Sequence, residues 1–304
     1  MEASHMDESN RFLGIAYSYT VIITLFSIAS YLLLFSYSAI DKYTIKAFLV
    51  EFFVLVAIWC VLYMLNRTKH LSFWTLSKDN IVRKATGGVI IINGLTSIFI
   101  YLSQVVYAVS LVISRNIDES VVPTLVHFIF ILCQIFVGLF LIKRNSNADE
   151  QNDTGVVIGT VYLYTLITVA FSLLANLVRI MVNPISLNKF SFLWLACIVI
   201  MIIILYLLNK RQNQSLASVF YNDTVRKSAG ILMIISGVIA ISVLLNSVIN
   251  ILWLMDSNLA DNKYTVSNIM LSAIKLFIIA CQIGLGAYLL KKSSSKADEP
   301  NNVQ

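Results

Sequence analysis

Apolar residues in this chain neither alternate with polar ones nor recur on one helical face. They continue almost unbroken through long stretches separated by short polar intervals. The runs cover approximately 12–38, 44–66, 86–114, 121–142, 156–181, 188–209, 228–255 and 265–290. At about 1.5 Å of rise per residue, each is long enough as a helix to cross about 30 Å of hydrocarbon, and several have length to spare for tilt. One such run would also suit a buried helix of a soluble protein, but eight in succession do not. The pattern predicts an all-α polytopic membrane protein with eight transmembrane helices.

The same pattern returns along the chain. Tyr17-x-Tyr19-Thr20 followed by Phe26-Ser27 recurs 145 positions later as Tyr162-x-Tyr164-Thr165 followed by Phe171-Ser172. LYMLNR at Leu62 to Arg67 recurs as LYLLNK at Leu205 to Lys210, and Arg83-Lys84, Gly87 and Gly94 recur as Arg226-Lys227, Gly230 and Gly237, both 143 positions on. CQIFVGLFLIKR from Cys133 recurs as CQIGLGAYLLKK from Cys281, 148 positions on. Four matches in one order predict two four-helix repeats, at 11–145 and 154–293, with a polar C-terminal tail at 294–304. An even number of spans per unit makes the repeats parallel, unlike the inverted halves of many transporters. Small residues at matching places, Gly87, Gly94, Gly230 and Gly237, with Gly284 and Gly286, predict close helix contacts. Residues 1–6 read as a vector-derived leader. The first apolar run is about as long as its neighbours and lacks a clear basic leader region and a cleavage pattern, so it reads as the first span.

Charge then supplies an orientation. Arg11, Arg67, Lys69, Lys78, Arg83, Lys84, Lys143, Arg144, Lys210, Arg211, Arg226, Lys227, Lys291, Lys292 and Lys296 all fall on one side of the predicted spans, fifteen of the 22 basic residues. That side is expected to be cytoplasmic, with both termini inside a multi-pass plasma-membrane protein. The formal charge of +6 therefore needs no nucleic acid to explain it, in a chain that is 58% hydrophobic and 12% charged with a mean hydropathy of +0.81. Membrane lipids are the expected surroundings; no protein partner is specified. The cysteines at 60, 133, 197 and 281 form no local pair and read as packing residues. The connections near 70–82 and 213–225, with Trp74, Val219 and Tyr221 among their apolar residues, read as segments at the membrane surface.

Candidate chemistry emerges by counting back from the basic ends. Glu51, His127 and Lys275 each precede a basic marker by 16 residues, at Arg67, Lys143 and Lys291, and Trp194 holds the same place before Lys210. Each is expected about 24 Å from the basic end of its span, in the outer part of the bilayer. A charge in hydrocarbon requires a partner, a wet cavity or access to the headgroups. Glu51 offers a proton or cation site and a partner for Lys275; His127 changes charge near neutral pH; Trp194 suits an apolar ligand or a cation. Gln104, Asn176, Asn246 and Asn250 extend the set, with Asn93, Ser103, Tyr107, Ser247 and the repeated Tyr17, Tyr19, Tyr162 and Tyr164; all of these are otherwise expected to hydrogen-bond between helices. Arg115 and Arg179 read as outer headgroup contacts.

Together these residues predict a transporter or permease moving a small polar or amphipathic substrate through a cavity between repeats. Coupling would be to a proton or another cation, and no cofactor or metal motif is evident. Two alternatives are an integral-membrane enzyme acting on a lipid-linked substrate and a membrane receptor, assembly or immunity-like interaction protein. No nucleophile or phosphate-binding loop sharpens the enzyme alternative.

Overall fold

The computed structural model describes residues 10–37, 42–68, 79–114, 121–143, 150–182, 199–200, 202–208, 210–211, 219, 221–256 and 262–291. These residues are overwhelmingly helical. The long helices are α1 (Arg11–Tyr37), α2 (Lys42–Thr68), α3 (Asn80–Ile113), α4 (Val121–Lys143), α5 (Glu150–Val182), α6 (Asp223–Asp256) and α7 (Asn262–Lys291). Residues 202–208, inside the predicted 188–209 run, are helical too. Among the described residues, six helices, α1, α2, α4, α5, α6 and α7, are long and apolar enough to cross a membrane.

Several helices begin before their apolar runs do. α3 starts at Asn80 because the Asp79 carboxylate accepts the Val82 backbone N–H at 3.0 Å, satisfying an amide that the first turn leaves unpaired. Asn222 does the same for Val225 at the start of α6, also at 3.0 Å.

α1, α3, α5 and α6 form the centre: α1 packs on α3 and α6, and α5 packs on the same two. α4 lies along α3, α7 along α6, and α2 against α1 and α6. The buried core runs through these central helices and includes Ile15, Ala16, Val82, Val89, Ile90, Leu163, Tyr164, Ala229, Leu232 and Met233. By contrast, Phe53, Phe136 and Phe277 on the peripheral helices are each at least 65% exposed. Such faces are stable against lipid tails, which are as apolar as the side chains.

Lipid supplies no hydrophobic drive for one apolar helix to leave it for another, so close backbone packing becomes important. α3 and α4 run antiparallel with Gly87 against Gly138. A Cβ on Gly87 would lie 2.7 Å from the Gly138 carbonyl oxygen, and one on Gly138 would lie 2.8 Å from that of Gly87. α6 and α7 meet similarly: a Cβ on Gly230 would lie 2.8 Å from the Gly286 oxygen, and the reciprocal distance is 2.7 Å. One turn or two further on, Gly94 faces Ile135 and Gly237 faces Ile283. Gly284 departs from the expected close contact. A Cβ there would meet nothing within 4 Å, because it lies off the face of α7 that touches α6.

Arginines lock the basic ends of both antiparallel pairs. Arg83 Nε donates to the Leu141 carbonyl and Arg226 Nε to the Leu289 carbonyl, each at 3.1 Å. Both carbonyls belong to a last helical turn, where no intrahelical N–H is available and the helix dipole favours a cation. The basic end of α1 is fixed by Arg11, 3.4 Å from the Asp79 carboxylate, and by Phe12, whose ring centroid lies 5.8 Å from Lys227 Nζ. Val219, expected at the membrane surface, is instead 2% exposed and belongs to this core; Tyr221 is exposed.

Candidate functional site

Two polar regions and a polar column between helices account for the described candidate chemistry. The first region lies between α1 and α2. Ser27 Oγ donates to Glu51 Oε1 at 2.6 Å and Tyr31 Oη donates to Oε2 at 2.8 Å, so both carboxylate oxygens receive hydroxyl protons. These acceptor contacts compensate for lost hydration of the acid, each contributing about 1.5–3 kcal/mol when the acceptor is charged. Tyr31 also packs on Phe48 with centroids 5.1 Å apart, and Phe48 stacks on Phe52 at 5.6 Å. His127, on α4, lies within electrostatic reach of Glu51. An edge contact between Phe26 and Phe130, with centroids 6.5 Å apart, joins α1 to α4 just along the helix from His127.

The second region is a cleft of about 360 Å³ formed by α5, α6 and α7. Lys275, Ser172 and Gln282 supply polar groups, while Phe171, Leu244 and Ile278 contribute apolar wall. Lys275 and Gln282 are seven residues apart on α7, about 10 Å along its axis, so one cleft spans two levels of the bundle. The structure thus brings Glu51 toward His127 on α1, α2 and α4, and places Lys275 with Gln282 on α5, α6 and α7.

A polar column connects that cleft with the centre. Gln282 Nε2 donates to Ser236 Oγ at 2.8 Å. Ser236 is an electrostatic neighbour of the Tyr164 hydroxyl, which donates to Asn93 Oδ1 at 3.2 Å, while the Ser236 hydroxyl itself donates to the Met233 carbonyl at 3.1 Å. Asn93 Nδ2 then donates to Tyr19 Oη at 2.5 Å. Five side chains from α7, α6, α5, α3 and α1 thus form one polar column, a hydrogen-bonded pair beside a hydrogen-bonded trio. Tyr19, Asn93 and Gln282 each lie about 12–15 Å along their helices from Arg11, Arg83 and Lys291, which puts the column at one level of the bundle. Asn93 is suited to the middle position because its amide donates and accepts at once.

Ser236 and Gln282 were not among the sequence candidates, although they stand 143 and 148 positions after Asn93 and Gln134. Trp194, Arg115 and Cys197 lie outside the described residues, as do the side chains of Ser103, Gln104, Asn176, Asn246, Ser247, Asn250 and Arg179. Cys60, Cys133 and Cys281 are free and exposed rather than packed. Asn66 is a further residue that the sequence did not single out: it is 2% exposed, and neither amide atom has a hydrogen-bond partner among the described residues. Among the described residues, no three His, Cys, Asp or Glu side chains group as a metal site.

The chemistry of the two regions is complementary in sign. One presents a carboxylate with a neighbouring imidazole; the other presents an ammonium group in a largely apolar cleft. No family model, curated protein or solved structure matches the chain.

Proposed function

We propose that this is a permease-like plasma-membrane protein that moves a small polar or amphipathic substrate through a passage between two parallel four-helix repeats. Eight spans are reached by adding α3 and the 188–209 run to the six long apolar helices. Duplication is supported by paired contacts at the offsets read from the sequence: Gly87–Gly138 with Gly230–Gly286, Arg83–Leu141 with Arg226–Leu289, and Asp79–Val82 with Asn222–Val225. The basic helix ends favour a cytoplasmic placement for that side and for both termini.

The observation that carries the transport reading is the link between the Lys275 cleft and the central column. Gln282 lines the cleft and also stands at one end of the polar column that reaches Tyr19. A substrate in the cleft would be adjacent to groups whose arrangement spans both proposed repeats, so relative motion of the repeats would alter its surroundings. Glu51 and His127 are the proposed proton- or cation-coupling groups.

Reconstitution of the purified full chain into proteoliposomes tests this reading. Flux of small amphipathic solutes that depends on the protein, and on an imposed proton or cation gradient, is the expected result. Chemical turnover without movement across the bilayer favours the enzyme alternative and overturns transport.

A further inference from the structure

We propose that the Lys275 cleft selects a single-chain amphiphile with an anionic head, which names the substrate class of the transport reading and rests on it. Lys275 and Ser172 furnish a cation and a hydroxyl to the lining of the cleft, while Phe171, Leu244 and Ile278 furnish apolar wall. A carboxylate or phosphate beside the ammonium gains a charge-assisted interaction that is strengthened by the low-polarity surroundings. An acyl chain then covers the apolar wall without requiring hydrogen bonds. The volume, about 360 Å³, lies at the small end of the range of about 300–1,000 Å³ usual for small-molecule sites. It suits a head and part of one chain better than a two-chain lipid.

The position of the ammonium adds direction to the assignment. Lys275 is about 24 Å from Lys291 along α7, in the half of the helix away from the basic end, whereas Gln282 lies about 10 Å nearer that end. An anion therefore meets the cation first in the outer half and the central column next. Charge also distinguishes this cleft from the corresponding part of α1, α2 and α4. Ser27 and Ser172 are 145 positions apart in the repeated sequence, but Ser27 donates to the Glu51 carboxylate, whereas Ser172 lines the cleft with Lys275. An anionic head would be repelled by Glu51 and attracted by Lys275. One region repels the proposed head and the other binds it.

A carboxylate could come from a free fatty acid and a phosphate from a lysophospholipid; the shared chemistry is one anionic group on one chain. Binding to the purified full chain in nanodiscs should be measured with radiolabelled dodecanoate and dodecyl phosphate, using dodecanol and dodecylammonium as competitors. We expect one or both anions to bind saturably, and neither competitor to displace them at equal concentration. Preference for dodecanoate would indicate the free acid as the source, and preference for dodecyl phosphate the phosphorylated chain. Lys275→Gln should weaken binding by about tenfold or more, whereas Lys275→Arg, which keeps the charge, should remain within about threefold. Retained binding in Lys275→Arg shows that the altered site folds.

Equal displacement by dodecanol, or undiminished binding in Lys275→Gln, overturns the anionic assignment. Loss in both variants with an intact size-exclusion profile also overturns it, because charge is then not the determinant. Flux in proteoliposomes separates the two levels of the account. Protein-dependent flux of dodecanol that is indifferent to Lys275 sinks the anion assignment and leaves transport standing. Saturable anion binding without flux sinks transport and leaves the anion site standing.

Discussion

In the α3–α4 pair, Gly87 lies against Gly138 and Arg83 reaches the Leu141 carbonyl; in the α6–α7 pair, Gly230 lies against Gly286 and Arg226 reaches Leu289. Further from the basic ends the two pairs diverge. α4 carries His127 near the Glu51 carboxylate, while α7 carries Lys275 in a cleft. The shared positions are those at which backbones must approach or terminal carbonyls need a donor. The differing positions are those at which charge meets apolar surroundings, so packing and chemistry vary separately along the same helices.

The glycine contacts provide the largest expected effects. Gly87→Val and Gly230→Val should each destabilise the protein by about 3 kcal/mol or more, because neither carbonyl can recede without separating the helices. Thermal unfolding of the full chain in detergent would measure both, and a large loss in only one variant would break the likeness of the pairs. Arg226→Met should cost about 1.5–3 kcal/mol by removing a charged donor from a buried helix end. Arg83→Met should cost less, since Arg83 is only partly buried whereas Arg226 is 7% exposed. The same melting series would reveal the reverse order if burial does not govern the difference.

Asn93→Leu tests the column between the pairs. It removes the partner shared by Tyr19 and Tyr164, so a loss of about 1–3 kcal/mol is expected; Tyr164→Phe should lose about 0.5–1.5 kcal/mol. Chemical unfolding with equal slopes for both variants would allow the comparison. The smallest effect belongs to Gly284→Ala. Open space surrounds that position, and alanine is the better helix former, so a gain of about 0.5–1 kcal/mol is expected. Gly286→Ala, two residues on and facing α6, should destabilise instead, because its added methyl would stand 2.7 Å from the Gly230 oxygen.

Most helices were legible because uninterrupted apolar runs leave few alternatives. Their starts were less so: hydropathy falls at the charges near Arg83 and Arg226, yet Asp79 and Asn222 cap the helices and hold those charged turns in place. Matching glycines also exposed the tight contacts, except at Gly284, where smallness alone did not reveal which face it occupied. Tyr19, Asn93 and Tyr164 stand among many polar residues expected to hydrogen-bond between helices, but spacing along separate helices does not show which of them converge. The Ser27 and Tyr31 contacts to Glu51 were missed for a related reason. Counting from the ends of spans finds a common depth, whereas a hydrogen bond also requires a common rotation.

Gln282 joins the cleft to the column, so uptake by proteoliposomes containing Gln282→Leu tests the proposed passage most directly. Protein-dependent uptake by the unaltered chain and its loss in this variant are expected, with insertion retained and no more stability lost than in Tyr164→Phe. Uptake undiminished in Gln282→Leu would contradict a route that runs from the Lys275 cleft to the centre of the bundle.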